Sequence, residues 1–196
     1  LRWLPNDGNG NFGTPVSISV PTGKRLSRFE CADVNNDGKT DLIMALANSG
    51  QTSTSIYVCY HTTGAGFDAP VLLFPGTLTE NFDHFQDING DGYPDYLTNH
   101  SYSLNLTNGT FGPITQFGLG YGSSDADLYD MDDDGMKDLV YGWSISAFDT
   151  DHDEFIGWKK QVSPGIFGPS QLINDTIKGV QFLKVFKDSA TNNIMI

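Results

Sequence analysis

Asp87-Ile88-Asn89-Gly90-Asp91-Gly92-Tyr93-Pro94-Asp95 sets oxygen-bearing side chains at its first, third, fifth and ninth positions, and a glycine at its sixth. A tightly curled loop turns alternate residues toward one centre, and the glycine permits the positive φ that curls it. A hard cation such as Ca²⁺ takes six to eight oxygens at about 2.3–2.6 Å. The spacing returns in Asp33-Val34-Asn35-Asn36-Asp37-Gly38-Lys39-Thr40-Asp41 and in Asp130-Met131-Asp132-Asp133-Asp134-Gly135-Met136-Lys137-Asp138. Asp, Asn and Gly are favoured in any turn. That preference explains the residue types but not four fixed oxygen positions and a fixed glycine, three times over. Three calcium sites are therefore expected. Their side-chain ligands are Asp33, Asn35, Asp37 and Asp41; Asp87, Asn89, Asp91 and Asp95; and Asp130, Asp132, Asp134 and Asp138. By analogy with the helical calcium loop, the seventh residues Lys39, Tyr93 and Met136 add backbone carbonyls.

A second motif alternates with the first. Gly8-Asn9-Gly10-Asn11-Phe12-Gly13-Thr14-Pro15 is echoed by Gly64–Pro70, Asn108–Pro113 and Pro164–Pro169, each a hairpin signature with a Phe at its exit. Nine residues before Phe12, Phe67, Phe111 and Phe167 stand Trp3, Val58, Tyr102 and Trp158. That shared position favours packing between sheets over sugar stacking. Internal repetition with a period of about 40–55 residues marks a propeller or a solenoid.

Short strands fall between the markers: Leu26–Ala32, Asp41–Ala47, Ser55–Tyr60 and Val71–Phe74; then Phe82–Gln86, Tyr96–Asn99, Tyr102–Leu106 and Ile114–Phe117; then Ala126–Tyr129, Leu139–Trp143, Phe155–Gln161 and Gln171–Ile173. Four strands per repeat form a meander that buries both faces only by stacking on its neighbours. The expected fold is all-β, a β-propeller of four-stranded antiparallel blades. Complete blades span 20–74, 75–117 and 118–173, with half blades at 1–19 and 174–196. The two half blades either pair to close a four-bladed ring, or the chain is a section of a larger one. In the last half blade Asp188–Ile196 puts Ala190 and Ile196 where ligands belong, so no calcium is expected there.

The loop motif D-x-N/D-x-D-G-x-x-D, alternating with G-x-G-x-F-G-x-P, resembles the FG-GAP and VCBS repeats. These build the β-propeller of integrin α subunits and of many secreted bacterial and fungal proteins. The resemblance implies rings of six to eight blades, commonly seven. It also implies calcium between the first two strands of a blade and a role in extracellular recognition.

The formal charge is −13, but ten of the 24 acids are the aspartates at ligand positions of the three loops, and without them 14 acids face 11 Lys and Arg, or −3. No basic face for nucleic acid is visible, and no apolar run of about 18 residues spans a membrane. The chain starts at Leu1 rather than an initiator Met, as a processed or excised piece does. Cys31 and Cys59, on the first and third strands of one sheet, lie too far apart for a disulfide and are expected as two buried thiols.

Strand parity puts the acidic loops and the Gly-Phe hairpins at one end of each sheet. The opposite end carries the blade crossings Pro75–Asn81 and Gly118–Asp125 and the turns Asn48–Thr54, Asn99–Ser101 and Ser144–Glu154. Ligand contacts are expected in such scaffold-held loops.

No catalytic constellation emerges. His61, His84, His100 and His152 share no spacing, and Glu30, Glu80 and Glu154 yield no glycosidase pair. Gly118–Gly122 lacks the strand–loop–helix context of a phosphate loop and reads as a crossing. Asp149–Glu154 reads as a solvated acidic turn rather than a further cation site. Asn99, Asn105, Asn108 and Asn174 occupy glycosylation sequons.

The leading expectation is a non-enzymatic, calcium-stabilised recognition module at the cell surface or outside the cell, adhesion-like or lectin-like. Its expected partner is an extracellular glycan or protein, and further blades come from the same or another chain. Two alternatives stand beside it. One is the propeller of a secreted enzyme or toxin, such as a polysaccharide lyase or a toxin-complex shell, with chemistry around Glu80, His84 and His152. The other is a structural spacer.

Overall fold

The structure, a computed structural model, describes all residues except 49–53, 65, 79–82, 120–122, 144–154, 176–182, 189, 190 and 192. The described residues contain strands and turns and no α-helix. They fall into two compact units: Leu1–Thr79 with Thr107–Thr110, and Glu80–Leu106 with Phe111–Ile196.

The first unit opens with the two-stranded sheet β1 (Arg2–Trp3) and β2 (Val16–Ser17). A four-stranded antiparallel meander follows, of β3 (Lys24–Ala32), β4 (Asp41–Asn48), β5 (Thr54–Cys59) and, after the short hairpin β6 (His61–Thr62) and β7 (Gly66–Phe67), β8 (Val71–Leu78). The second unit repeats the meander twice. One sheet is β9 (Asp83–Gln86), β10 (Asp95–Thr98), β11 (Ser101–Ser103) and β12 (Thr115–Gln116). The other is β13 (Ser123–Tyr129), β14 (Asp138–Trp143), β15 (Phe155–Ser163) and β16 (Ile166–Asn174). The pair β17 (Phe186–Lys187) and β18 (Ile194–Met195) ends the chain. Three consecutive four-stranded antiparallel meanders flanked by two strand pairs are consistent with propeller blades.

Register repeats with the sequence markers. Trp3 pairs Val16, Val58 pairs Val71, Tyr102 pairs Thr115 and Trp158 pairs Gln171, thirteen residues apart each time. At the loop end, the residue before the first Asp pairs the ninth residue: Ala32 with Asp41, Gln86 with Asp95, Tyr129 with Asp138. In the last pair Lys187 meets Ile194 instead, so that turn is two residues shorter and does not reproduce the nine-residue loop.

The second strand of each meander is buried on both sides, which is why β4 and β14 read as near-continuous apolar runs. In the second unit Leu139 and Tyr141 pack on one side of β14, with Ile88, Leu97, Tyr102, Phe117 and Leu128. Val140, between them, faces the other way and joins Ile156, Leu183 and Val185. Full burial of each such side chain contributes roughly 1.5–3 kcal/mol. Tyr102 is core, as its repeat position predicts, and Trp158 and Trp3 are half-buried.

Three expectations are corrected. Strand β8 runs through Pro75 and Gly76 to Leu78, so the first half of the expected crossing Pro75–Asn81 is strand. Strand β16 begins at Ile166, directly after a tight turn, rather than at Gln171. Cys31 and Cys59 are both free, but only Cys59 is buried, and Cys31 is exposed. Cys31 stands two residues before its acidic loop, the position that Phe85 and Leu128 fill in the other meanders, where both are buried. In the first unit that face borders a cavity of about 460 Å³ lined by Trp3, Ile18, Phe29, Cys31, Leu42 and Phe67. The thiol is exposed because it borders this cavity rather than packed side chains.

Candidate metal centre

The acidic loops share most of their hydrogen bonds, the second differing in that Gly90 rather than the fifth residue donates to the first aspartate. The first-position carboxylate accepts backbone N–H groups from across the turn: Asp33 from Asp37 and Gly38, Asp87 from Gly90 and Gly92, Asp130 from Asp134 and Gly135. The fifth-position carboxylate accepts the N–H of the seventh residue at 2.9 Å in all three: Asp37 from Lys39, Asp91 from Tyr93, Asp134 from Met136. Two residues per loop have positive φ. The sixth is the expected glycine (Gly38, Gly92, Gly135), and the fourth is Asn36, Gly90 or Asp133. Asn, Asp and Gly tolerate this conformation best, so the fourth position was legible from residue type.

The ninth-position aspartate has a role beyond the expected one. Asp41, Asp95 and Asp138 are each fully buried. One oxygen accepts the N–H of the second loop residue: Val34 to Asp41 at 3.0 Å, Ile88 to Asp95 at 2.7 Å, Met131 to Asp138 at 2.9 Å. The other accepts an N–H from the third strand or the residues just beyond it: His61 to Asp41 at 2.8 Å, Asn105 to Asp95 at 2.7 Å, Gln161 to Asp138 at 2.7 Å. These donors pair with the hairpin phenylalanines Phe67, Phe111 and Phe167. The ninth aspartate thus ties loop to hairpin, and the two lie at the same end of each sheet, as strand parity predicts.

Burial raises the pKa of all three aspartates against the pull of these donors, and the nearby loop carboxylates add to the rise. For Asp95 the result is about 6. The exposed fifth-position carboxylates go the other way, Asp37 held low by the Lys39 ammonium and Asp134 by that of Lys160.

Asn105 and Gln161 also secure the loops with their amides. Asn105 Nδ2 donates to the Pro94 carbonyl, and Gln161 Nε2 donates to the equivalent Lys137 carbonyl and to Ile88. The sequence reading missed these two residues, although both lie six positions before a repeat Phe. Asn105 is buried and serves as a brace, as is Asn99, whereas the sequon residue Asn108 is exposed.

The expected ligands are brought together most fully in the third loop. One oxygen each from Asp130, Asp132 and Asp138 lie within 4.8 Å of one another, the only such carboxylate or histidine group among the described residues. This hard, anionic oxygen set fits a calcium ion. The first and second loops place an amide, Asn35 or Asn89, at the third position, where it accepts the N–H of Asp37 or Asp91.

The other candidate positions do not converge. His61 stacks on Phe67 with ring centroids 5.0 Å apart, and His100 bonds Asn99 at 2.8 Å. His84 lies on β9. Glu80, His152, Glu154 and the acidic turn Asp149–Glu154 fall outside the described residues. Leu119 is buried in the core, and residues 120–122 of the Gly118–Gly122 segment fall outside the described residues. No helix among the described residues is long and apolar enough to cross a membrane.

Residues 1–44 match a family model described as an FG-GAP-like repeat. The match runs from the first hairpin through the first acidic loop into β4, and it therefore holds both alternating motifs. No curated protein and no solved structure matches the chain. Residues 1–44 of the chain are thus similar to an FG-GAP-like repeat.

Proposed function

We propose that the chain is a calcium-stabilised recognition module of the propeller type, acting outside the cell or at its surface and without catalytic activity of its own. The observation that carries the reading is the convergence of Asp130, Asp132 and Asp138 in a loop whose backbone scheme occurs three times. Calcium at the three loops, bound by Asp33, Asn35, Asp37 and Asp41, by Asp87, Asn89, Asp91 and Asp95, and by Asp130, Asp132, Asp134 and Asp138, would neutralise carboxylates that otherwise repel. Short Asp-rich loops suit the millimolar calcium of extracellular modules. The ion's role is structural: it stiffens the loop that the ninth aspartate ties to the hairpin. Recognition of a glycan or protein then belongs to the connections at the opposite end of the sheets, and further blades complete the ring.

Scanning calorimetry in calcium and then in EDTA tests the metal. Calcium is expected to raise the melting temperature, and an unchanged value removes the claim. A glycan array tests recognition, with specific retention and no turnover as the expected result.

A further inference from the structure

The three loops differ in one respect that their shared backbone hides. In the third, Lys160 reaches in from β15 and its ammonium pairs with Asp132 and, at 2.8 Å, with Asp134. These are the third and fifth positions of the loop, two of its four side-chain ligands. The residues at the same point of the other hairpins, seven before the Phe, are Pro5, Tyr60 and Leu104, none of them cationic. The first loop, among the described residues, has only its own Lys39, bonded to Asp37 at 2.9 Å. Among the described residues no ion pair reaches Asp87, Asp91 or Asp95.

The charge pattern matches this placement. The third loop has four carboxylates at ligand positions, against three in each of the others, where Asn35 and Asn89 take the third position. At the ligand positions, an ammonium on the extra carboxylate returns the charge to that of the second loop, and Asp133, which is not one of them, pairs with Lys187 at 3.0 Å. The Lys160 ammonium also occupies oxygens that a calcium ion needs, because an ion with six to eight oxygen ligands cannot share two of them with an ammonium at contact distance. A lysine on a flexible stem can leave, but calcium must displace it.

We propose that Lys160 is a tethered counter-cation of the third loop: it holds Asp132 and Asp134 together without metal, and it makes this loop the last to fill with calcium. The inference rests on the calcium reading above and adds an order of filling to it. The third loop then keeps its shape at low calcium, while the second, whose one lysine contact is Lys137 on the Asp87 backbone carbonyl at 3.1 Å and none of whose carboxylates is ion-paired, responds first.

The test uses the intact chain with Asp37→Ala and Asp91→Ala, which leaves the third loop as the working site. Calcium binding is measured by calorimetric titration for this background and with Lys160→Gln or Lys160→Arg added. Lys160→Gln is expected to tighten calcium at least tenfold, and Lys160→Arg to leave it within about threefold of the background. A second readout separates competition from simple support of the fold. Lys160→Gln should lower the melting temperature in EDTA yet enlarge the rise that calcium produces, in the otherwise unaltered chain as well. A lysine that only supports the fold would lower both melting temperatures equally. If calcium binds but Lys160→Gln leaves affinity and thermal gain unchanged, the tethered-cation role is overturned and the calcium reading stands. If the unaltered chain binds no calcium, both fall together.

Discussion

Asp95 is fully buried, and both of its oxygens accept backbone N–H groups, as a buried carboxyl requires. Burial sets its pKa near 6 against an ordinary 3.8. A carboxyl whose folded value lies above its unfolded one stabilises the fold while protonated, below about pH 4, and loses that contribution as pH rises through about 6. Without metal, the stability difference between the unaltered chain and Asp95→Asn should therefore favour the aspartate most at low pH and shrink across this interval. Asp95→Asn also turns one acceptor into a donor facing an N–H, which costs about 1–3 kcal/mol. Urea unfolding in EDTA from pH 4 to 7 checks both. A difference that grows with pH would show that the two donors outweigh burial.

The acidic loop followed by a strand is the element that repeats, and its glycines separate backbone strain from crowding. At Gly92 a Cβ would meet nothing within 4 Å, but φ is +86°. Gly92→Ala should cost on the order of 1 kcal/mol, from backbone conformation alone. Gly157, in β15 opposite Tyr141, lacks positive φ, yet its Cβ would lie 2.7 Å from the Tyr141 hydroxyl and 3.1 Å from the Gln171 carbonyl. Gly157→Ala should cost more, roughly 1–3 kcal/mol from overpacking, and denaturant midpoints decide the order. Residues near in sequence made the loop and the hairpin legible, because their partners lie two to five positions away, where residue type and spacing are sufficient. The clamps of Asp41, Asp95 and Asp138 were not legible, since their third-strand donors stand 20, 10 and 23 residues on. Lys160 lies 28 residues from Asp132, and nothing in its own neighbourhood marks it. The exposure of Cys31 depends on what covers β3, which alternation along the strand does not state. Strand β8 continues past Pro75, against the usual reading of Pro as a strand end.

At the scale of the whole molecule the net charge of −13 is a load that the loops concentrate, with eleven carboxylates in three short turns. Repulsion among them is relieved by bound ions or, weakly, by dissolved salt, and the two remedies predict different responses. On the proposed calcium reading, three sites with dissociation constants on the order of 1 mM would contribute roughly 1.4 kcal/mol each at about 10 mM calcium, about 4 kcal/mol together. For a chain of this length that is a rise of about 10 °C in melting temperature. Salt reaches the same carboxylates only by screening, over a Debye length of about 10 Å at 0.1 M. In EDTA, raising sodium chloride from about 0.02 to 0.5 M should therefore raise the melting temperature by a few degrees. In calcium the same step should do nothing or lower it, because the repulsion is already gone and sodium weakens calcium's attraction to the loops. Calorimetry at the four conditions measures the difference. An equal salt response with and without calcium would mean that the clustered carboxylates do not govern stability, and the structural role assigned to the ion would fail with them.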